Sequence, residues 1–182
     1  MKKVFDARRL DVKAFAVEAA SLSGDDRLET HPRLMAETEG RGADMGLSWS
    51  ATGELRNPQH LHPEIWLRLQ ARTVLPLTCQ RCLDPVEVPV EVDRTFRFVE
   101  DEATAMAQDD SCAEDLLAMS RSFDLAQLLE DEVLMDLPVA PRHEVCPAAV
   151  KLAVADEGFE PESPESENPF ALLQRFRPGK PG

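Results

Sequence analysis

Three consecutive stretches of this chain alternate apolar and polar residues with a period of two. Met45, Leu47, Trp49, Ala51 and Leu55 alternate with Gly46, Ser48, Ser50 and Thr52. Ile65, Leu67, Leu69, Ala71, Thr73, Leu75 and Leu77 follow, with Arg68, Gln70 and Arg72 between them. Val86, Val88, Val90, Val92, Phe96 and Phe98 then alternate with Glu87, Pro89, Glu91, Asp93, Thr95 and Arg97. Successive strand side chains point to opposite faces, so each stretch reads as a strand with one buried face. The connections are short, which predicts an antiparallel meander over about residues 44–99. Pro89 cannot donate to a ladder and marks an edge or a bulge. The pattern predicts Leu69, Val88 and Val90 buried, and Arg68, Glu87 and Glu91 exposed. A register slip of one residue would invert every one of these.

A sheet with one apolar face needs a cover, and helical patterns flank it. Val12, Phe15, Ala16, Ala19 and Leu22 have helical spacing, with Asp11 placed to cap and Gly24 to stop. A short helix is expected from Pro32, a residue suited to the first helical position. Asp124 and Gln127 resemble a capping box. Leu125, Leu128, Leu129 and Val133 line one face of the helix that follows, Leu137 continues it, and Pro138 and Pro141 end it. Residues 100–115 are acidic and weakly patterned and read as a long loop. The expected fold class is α+β: an antiparallel β-meander, open or barrel-like, covered by helices. Residues 1–154 form one domain in this reading. Residues 155–168 form a flexible acidic linker, and residues 169–182 a short C-terminal apolar and basic peptide or helix. Phe170, Leu173 and Phe176, three apart, are its candidate partner-binding anchors.

Charge excludes some functions. The 182-residue chain carries 20 Lys and Arg against 34 Asp and Glu, a net charge of -14. Such a field repels phosphate, and Tyr is absent, so a nucleic-acid coat or base-stacking platform is not expected. Residues 98–136 hold 12 acidic side chains against the single basic Arg121. That stretch is either a solvated surface or a docking face for a cationic partner. A cation cluster of Arg68, Arg72, Arg81, Arg94 and Arg97 is conceivable, but cross-strand pairing with Glu87, Glu91 and Asp93 is the plainer expectation. No apolar run is long enough to span a bilayer and no secretory signal opens the chain, so the cytoplasm is the expected compartment.

Cys79-Gln80-Arg81-Cys82 falls at the turn between the second and third strands. Two thiolates two residues apart can bind one tetrahedral zinc ion. His143 and Cys146 could complete the set if their segment packs on the hairpin. Against zinc stand the lack of a second Cys-x-x-Cys pair and Leu83 in place of the usual glycine. A thioredoxin-like role would want a helix N-terminus rather than a turn between strands. The remaining reading is structural, since reduced cysteines pack as small hydrophobes and Cys79 continues an inward series. If an ion binds, the core is expected to fold without it. There is no Gly-rich phosphate loop, His-Glu-x-x-His or Gly-x-Ser-x-Gly, so no enzyme activity is expected.

Four segments, taken in order, resemble one family. They are Cys79-Gln80-Arg81-Cys82-Leu83; the block Phe123-Asp124-Leu125 through Leu128-Leu129-Glu130-Asp131-Glu132 into Leu137-Pro138; Pro141-Arg142-His143 leading to Cys146; and Asn168-Pro169-Phe170-Ala171-Leu172-Leu173. Together they resemble the YceD family, the large ribosomal RNA subunit accumulation proteins, over roughly residues 45–176. The resemblance implies a role in accumulation or processing of large-subunit ribosomal RNA, without catalytic residues. Family members are commonly encoded beside a small basic protein of the large ribosomal subunit. The implied partner is therefore a basic ribosomal protein or a pre-ribosomal particle, with any RNA contact indirect and no membrane or DNA partner. Zinc, at Cys79, Cys82, His143 and Cys146, is the one cofactor the residues themselves suggest.

Overall fold

The structure, a computed structural model, describes residues 4–147. In chain order it contains α1 (Val12–Val17), β1 (Ser21–Arg27), α2 (Pro32–Glu37), β2 (Gly46–Arg56), β3 (Glu64–Thr78), β4 (Pro85–Val99), α3 (Glu102–Gln108), β5 (Asp115–Ala118) and α4 (Leu125–Met135). The five strands form one sheet in sequence order, from β1 to β5. The first four run antiparallel, and β5 lies parallel to the end of β4. The fold is α+β, as expected, and the sheet is open rather than closed into a barrel.

The long strands keep the register that the alternation demands. Leu69 and Val90 are buried and Val88 is half-buried, while Arg68, Glu87 and Glu91 are exposed. Pro89 faces Val74 in an unbroken ladder with β3. β5 pairs only with Phe96–Val99, so Pro89 sits where β4 is an edge, and no bulge is needed. The outer face pairs its charges across strands: Arg68 with Asp93 at 2.7 Å and Arg72 with Glu91 at 2.8 Å.

Four expectations are corrected. The helix expected over 11–22 stops at Val17, although Asp11 caps it by accepting from the Ala14 N–H at 3.0 Å. Ala19 turns the chain at a φ of 44°, and residues 21–27 then add an edge strand to β2. Gly24 lies inside that strand opposite Trp49, so it does not stop a helix. Residues 100–115 are not a loop. Asp101 caps α3 through the Thr104 N–H at 2.8 Å, and a short 3-10 turn leads into β5. Leu137 lies beyond the end of α4 but still packs on the core.

One face of the sheet carries the core. α1 packs on β2 and β3, α4 packs on β3 and β4, and α2 packs on α4. Phe15, Leu47, Leu67, Leu69, Leu75, Leu125, Leu129 and Val133 are essentially inaccessible there. The N-terminal segment ties down the start of α4: Leu10 and Phe123 exchange backbone hydrogen bonds at 2.8 and 2.9 Å, and Leu125 donates to Ala7 at 2.8 Å. Arg94 occupies an inward position opposite Leu69, and its guanidinium reaches the Glu132 carboxylate of α4 at 3.7 Å.

Glu132 yields a pH prediction. Burial pushes its carboxyl above the ordinary carboxylate range, and Arg94 only partly offsets this. The folded state therefore binds this proton more tightly than the unfolded chain does. The residue is neutral to stability in acid and costs stability as pH rises through the folded pKa. Glu132→Gln should stabilise the protein at neutral pH, and the gain should shrink as pH falls through the ordinary carboxylate range. Chemical unfolding at several pH values checks this. A gain independent of pH would show that burial of charge is not the cause.

Candidate metal centre

β3 and β4 are joined by a turn that places two thiols on one side. Cys79 continues the inward series of β3 and is fully buried. The turn closes on it twice: its N–H donates to the Asp84 carbonyl at 2.9 Å, and its carbonyl accepts from the Leu83 N–H at 2.9 Å. Leu83 has a φ of 65° and its side chain is largely exposed. This is the left-handed conformation that glycine supplies at no cost. The absent glycine therefore did not abolish the turn. Leucine adopts the same backbone shape at some strain.

The segment after α4 returns to this turn. The Gln80 N–H donates to the Pro141 carbonyl at 2.8 Å. The Arg81 guanidinium donates to the carbonyls of His143 and Glu144. As a result Cys79, Cys82, His143 and Cys146 converge, with one ligand atom of each within 4.8 Å of all the others. Tetrahedral zinc with bonds of about 2.3 Å sets its ligands roughly 3.8 Å apart, so the cluster is of the right size for one ion.

The imidazole is oriented as a metal ligand's would be. Its Nε2 lies 3.1 Å from the Pro85 carbonyl, an acceptor, so Nε2 carries the proton in that contact. That leaves the Nδ1 lone pair facing inward, 3.4 Å from Cys82 Sγ. A ligating histidine commonly donates its other N–H to a carbonyl in this way, which fixes both tautomer and ring plane.

The sulfurs are electrostatically unequal. Burial pushes the Cys79 thiol up, but the backbone N–H groups of Cys82, Arg81 and His143 outweigh it and bring its pKa to about 5. Burial and the neighbouring thiols of Cys79 and Cys146 raise Cys82 to about 11, against a lowering by the Asp84 backbone. Several thiolates cannot crowd together unless a cation offsets their repulsion, and thiolate is the form that binds metal. The four residues can hold a metal ion such as zinc.

All four candidate ligands are thus brought together. The other cysteine and histidines are not. Cys112 lies beside Arg97, 3.7 Å from its guanidinium. His31 is buried near Asp26, and His60 and His62 are exposed between β2 and β3. Phe170, Leu173 and Phe176 lie outside the described residues, as do residues 155–168. Sequence reasoning missed the supporting backbone groups, namely the carbonyls of Pro85, Pro141 and His143, because main-chain partners leave no mark in side-chain identity. A concavity of about 570 Å³ lies over the open sheet face, beside Ser23, Ser48, Ser50, Gln70 and Arg72. Of its charged lining residues, Arg72 pairs with Glu91 and Asp93 with Arg68.

A family model described as "Large ribosomal RNA subunit accumulation protein YceD" matches residues 67–177. No solved structure matches the chain. The matched span contains all four candidate ligands.

Proposed function

The chain belongs to the YceD family of large ribosomal RNA subunit accumulation proteins, and from that premise we propose that it is a non-enzymatic ribosome biogenesis factor. It acts in the cytoplasm and supports accumulation or processing of large-subunit ribosomal RNA by binding a basic ribosomal protein or the pre-ribosomal particle that carries one. The family match over residues 67–177 carries this reading.

Electrostatics supports the choice of a cationic protein partner over RNA. Glu100, Glu102, Asp109, Glu114 and Asp115 stand exposed around α3 and the chain leading into β5. By contrast the arginines that RNA would need are engaged within the domain. Arg68, Arg72 and Arg94 pair with carboxylates, Arg97 bonds to Gln108, and Arg81 holds backbone carbonyls. Opposite charge of this kind speeds encounter and loses effect with salt. Zinc is the resident ion in this reading, held by Cys79, Cys82, His143 and Cys146 in a structural role.

A tagged pull-down at moderate salt, read for proteins and RNA together, tests the proposal. Basic large-subunit proteins should be recovered after nuclease treatment and lost as salt rises. Recovery of RNA alone, with those proteins absent, would favour direct RNA binding instead. The C-terminal motif gives a second prediction. A chain ending at Glu167 should keep its unfolding midpoint and lose partner binding. Lowered stability with binding intact would make Phe170, Leu173 and Phe176 a cap on the domain.

A further inference from the structure

We infer that the Cys79, Cys82, His143 and Cys146 site is a metal clasp: an ion there fastens the arm Pro138–Cys146 to the β3–β4 turn, while the core holds its fold without the ion. The inference rests on the zinc reading above and goes further, to what the ion controls.

The ligands come in two pairs from two distant segments. Cys82 and His143 are separated by 61 positions in sequence, and each segment supplies two donors. The turn is held independently by the β3–β4 ladder, which runs from Ile65–Phe98 to Thr78–Pro85. Among the described residues the arm has no such ladder, and the last residue packed on the apolar core is Leu137. Val139 is fully exposed and Val145 nearly so. What the described residues show holding the arm is polar and clustered at the knuckle: Pro141 accepts from Gln80, His143 and Glu144 accept from Arg81, and the His143 ring meets Pro85.

Such exposed hydrogen bonds exchange readily with water and return little net free energy each. Ordering nine residues of backbone costs more than they return. Four metal–ligand bonds change that balance, because binding an ion to ligands from separate segments contributes directly to the order of the segments joined. The core does not need this contribution. Its apolar residues lie on the sheet face under α1 and α4, and of the four ligands Cys79 alone is fully buried. Thiolate-rich coordination suits zinc among abundant divalent cations and disfavours magnesium and calcium, which take oxygen ligands. With the ion bound, Cys146 becomes a fixed point on the knuckle from which the chain continues.

The test uses the full-length protein purified with zinc chloride and without chelator. Metal analysis should give one zinc per chain. Cobalt substitution should give the thiolate charge-transfer and intense visible bands of a tetrahedral Cys3His site, abolished by Cys82→Ser and unchanged by Cys112→Ser. Hydrogen exchange is then compared with and without the ion. Metal removal, or His143→Ala, should speed exchange in the 138–147 peptides tenfold or more. Exchange in the Leu67–Leu75 strand and the thermal midpoint should stay nearly unchanged. Bound zinc with no change in the arm's exchange would overturn the clasp and leave the zinc reading standing. Exchange that rises across the strands as well would overturn it too, since the ion would then hold the whole fold. Absence of bound zinc would overturn both.

Discussion

Replacing Glu130 by alanine should lower stability by about 3 kcal/mol, and the midpoint by about 10 °C. The reason is a capping arrangement that spans the fold. α2 begins with His31 and Pro32, and His31 makes no side-chain cap hydrogen bond. Its first free N–H groups belong to Arg33 and Leu34. Both donate to Glu130 Oε1, at 2.8 and 3.3 Å, from a helix nearly a hundred residues away. The other carboxylate oxygen accepts from the Arg33 guanidinium at 3.1 Å. Glu130 is buried, so removing it leaves two helix N–H donors without their acceptor. Losing a local cap costs about 0.5–2 kcal/mol, and a buried, charged acceptor stands above that range. Glu130→Gln keeps one oxygen and should cost roughly half. Arg33→Ala should cost less than Glu130→Ala, because the backbone donors keep their acceptor. Equilibrium unfolding of the three variants checks the ordering. Equal losses for Arg33→Ala and Glu130→Ala would assign the effect to the ion pair alone.

Gly53→Val should prevent folding, and Gly53→Ala should cost about 3 kcal/mol. Gly53 sits in β2 directly beneath α1. A Cβ there would stand 2.7 Å from Phe15 Cδ1 and 2.9 Å from the Ala16 N and Cα atoms. The Phe15 ring could rotate away at a cost, but the α1 backbone could yield only by lifting the helix off the sheet. The Gly53 N–H also donates to the Ala20 carbonyl at 2.9 Å, which locks the chain leaving α1 at the same point. In the Phe15→Ala background, Gly53→Ala should remain destabilising because the Ala16 contact persists. Full rescue would show that the aromatic ring, and not the backbone approach, excludes a side chain. Soluble expression and thermal unfolding read both outcomes.

These two sites mark a boundary in what the amino-acid order discloses. Alternation alone determined β2, β3 and β4, their faces and the burial of Leu69 and Val90, because side-chain direction in a strand is a local property of the backbone. The caps at Asp11 and Asp124 were legible for the same reason: donor and acceptor lie three residues apart. The Cys79 and Cys82 pair was legible as half a site.

Tertiary structure decided the rest. Ser21–Arg27 has small and acidic residues that disfavour strands, and it becomes β1 only because the edge of β2 supplies its hydrogen-bond partners. The four residues of β5 are strand because the end of β4 lies beside them. Gly53 reads as a weak strand residue until α1 descends on it, and Glu130 as a surface charge until α2 arrives. His143 and Cys146 are three residues apart on an arm with no apolar periodicity of its own. Their meeting with Cys79 and Cys82 depends on where α4 ends and how the chain returns to the sheet. Local periodicity fixes what each segment can be, while the pairing of distant surfaces fixes which buried groups find partners.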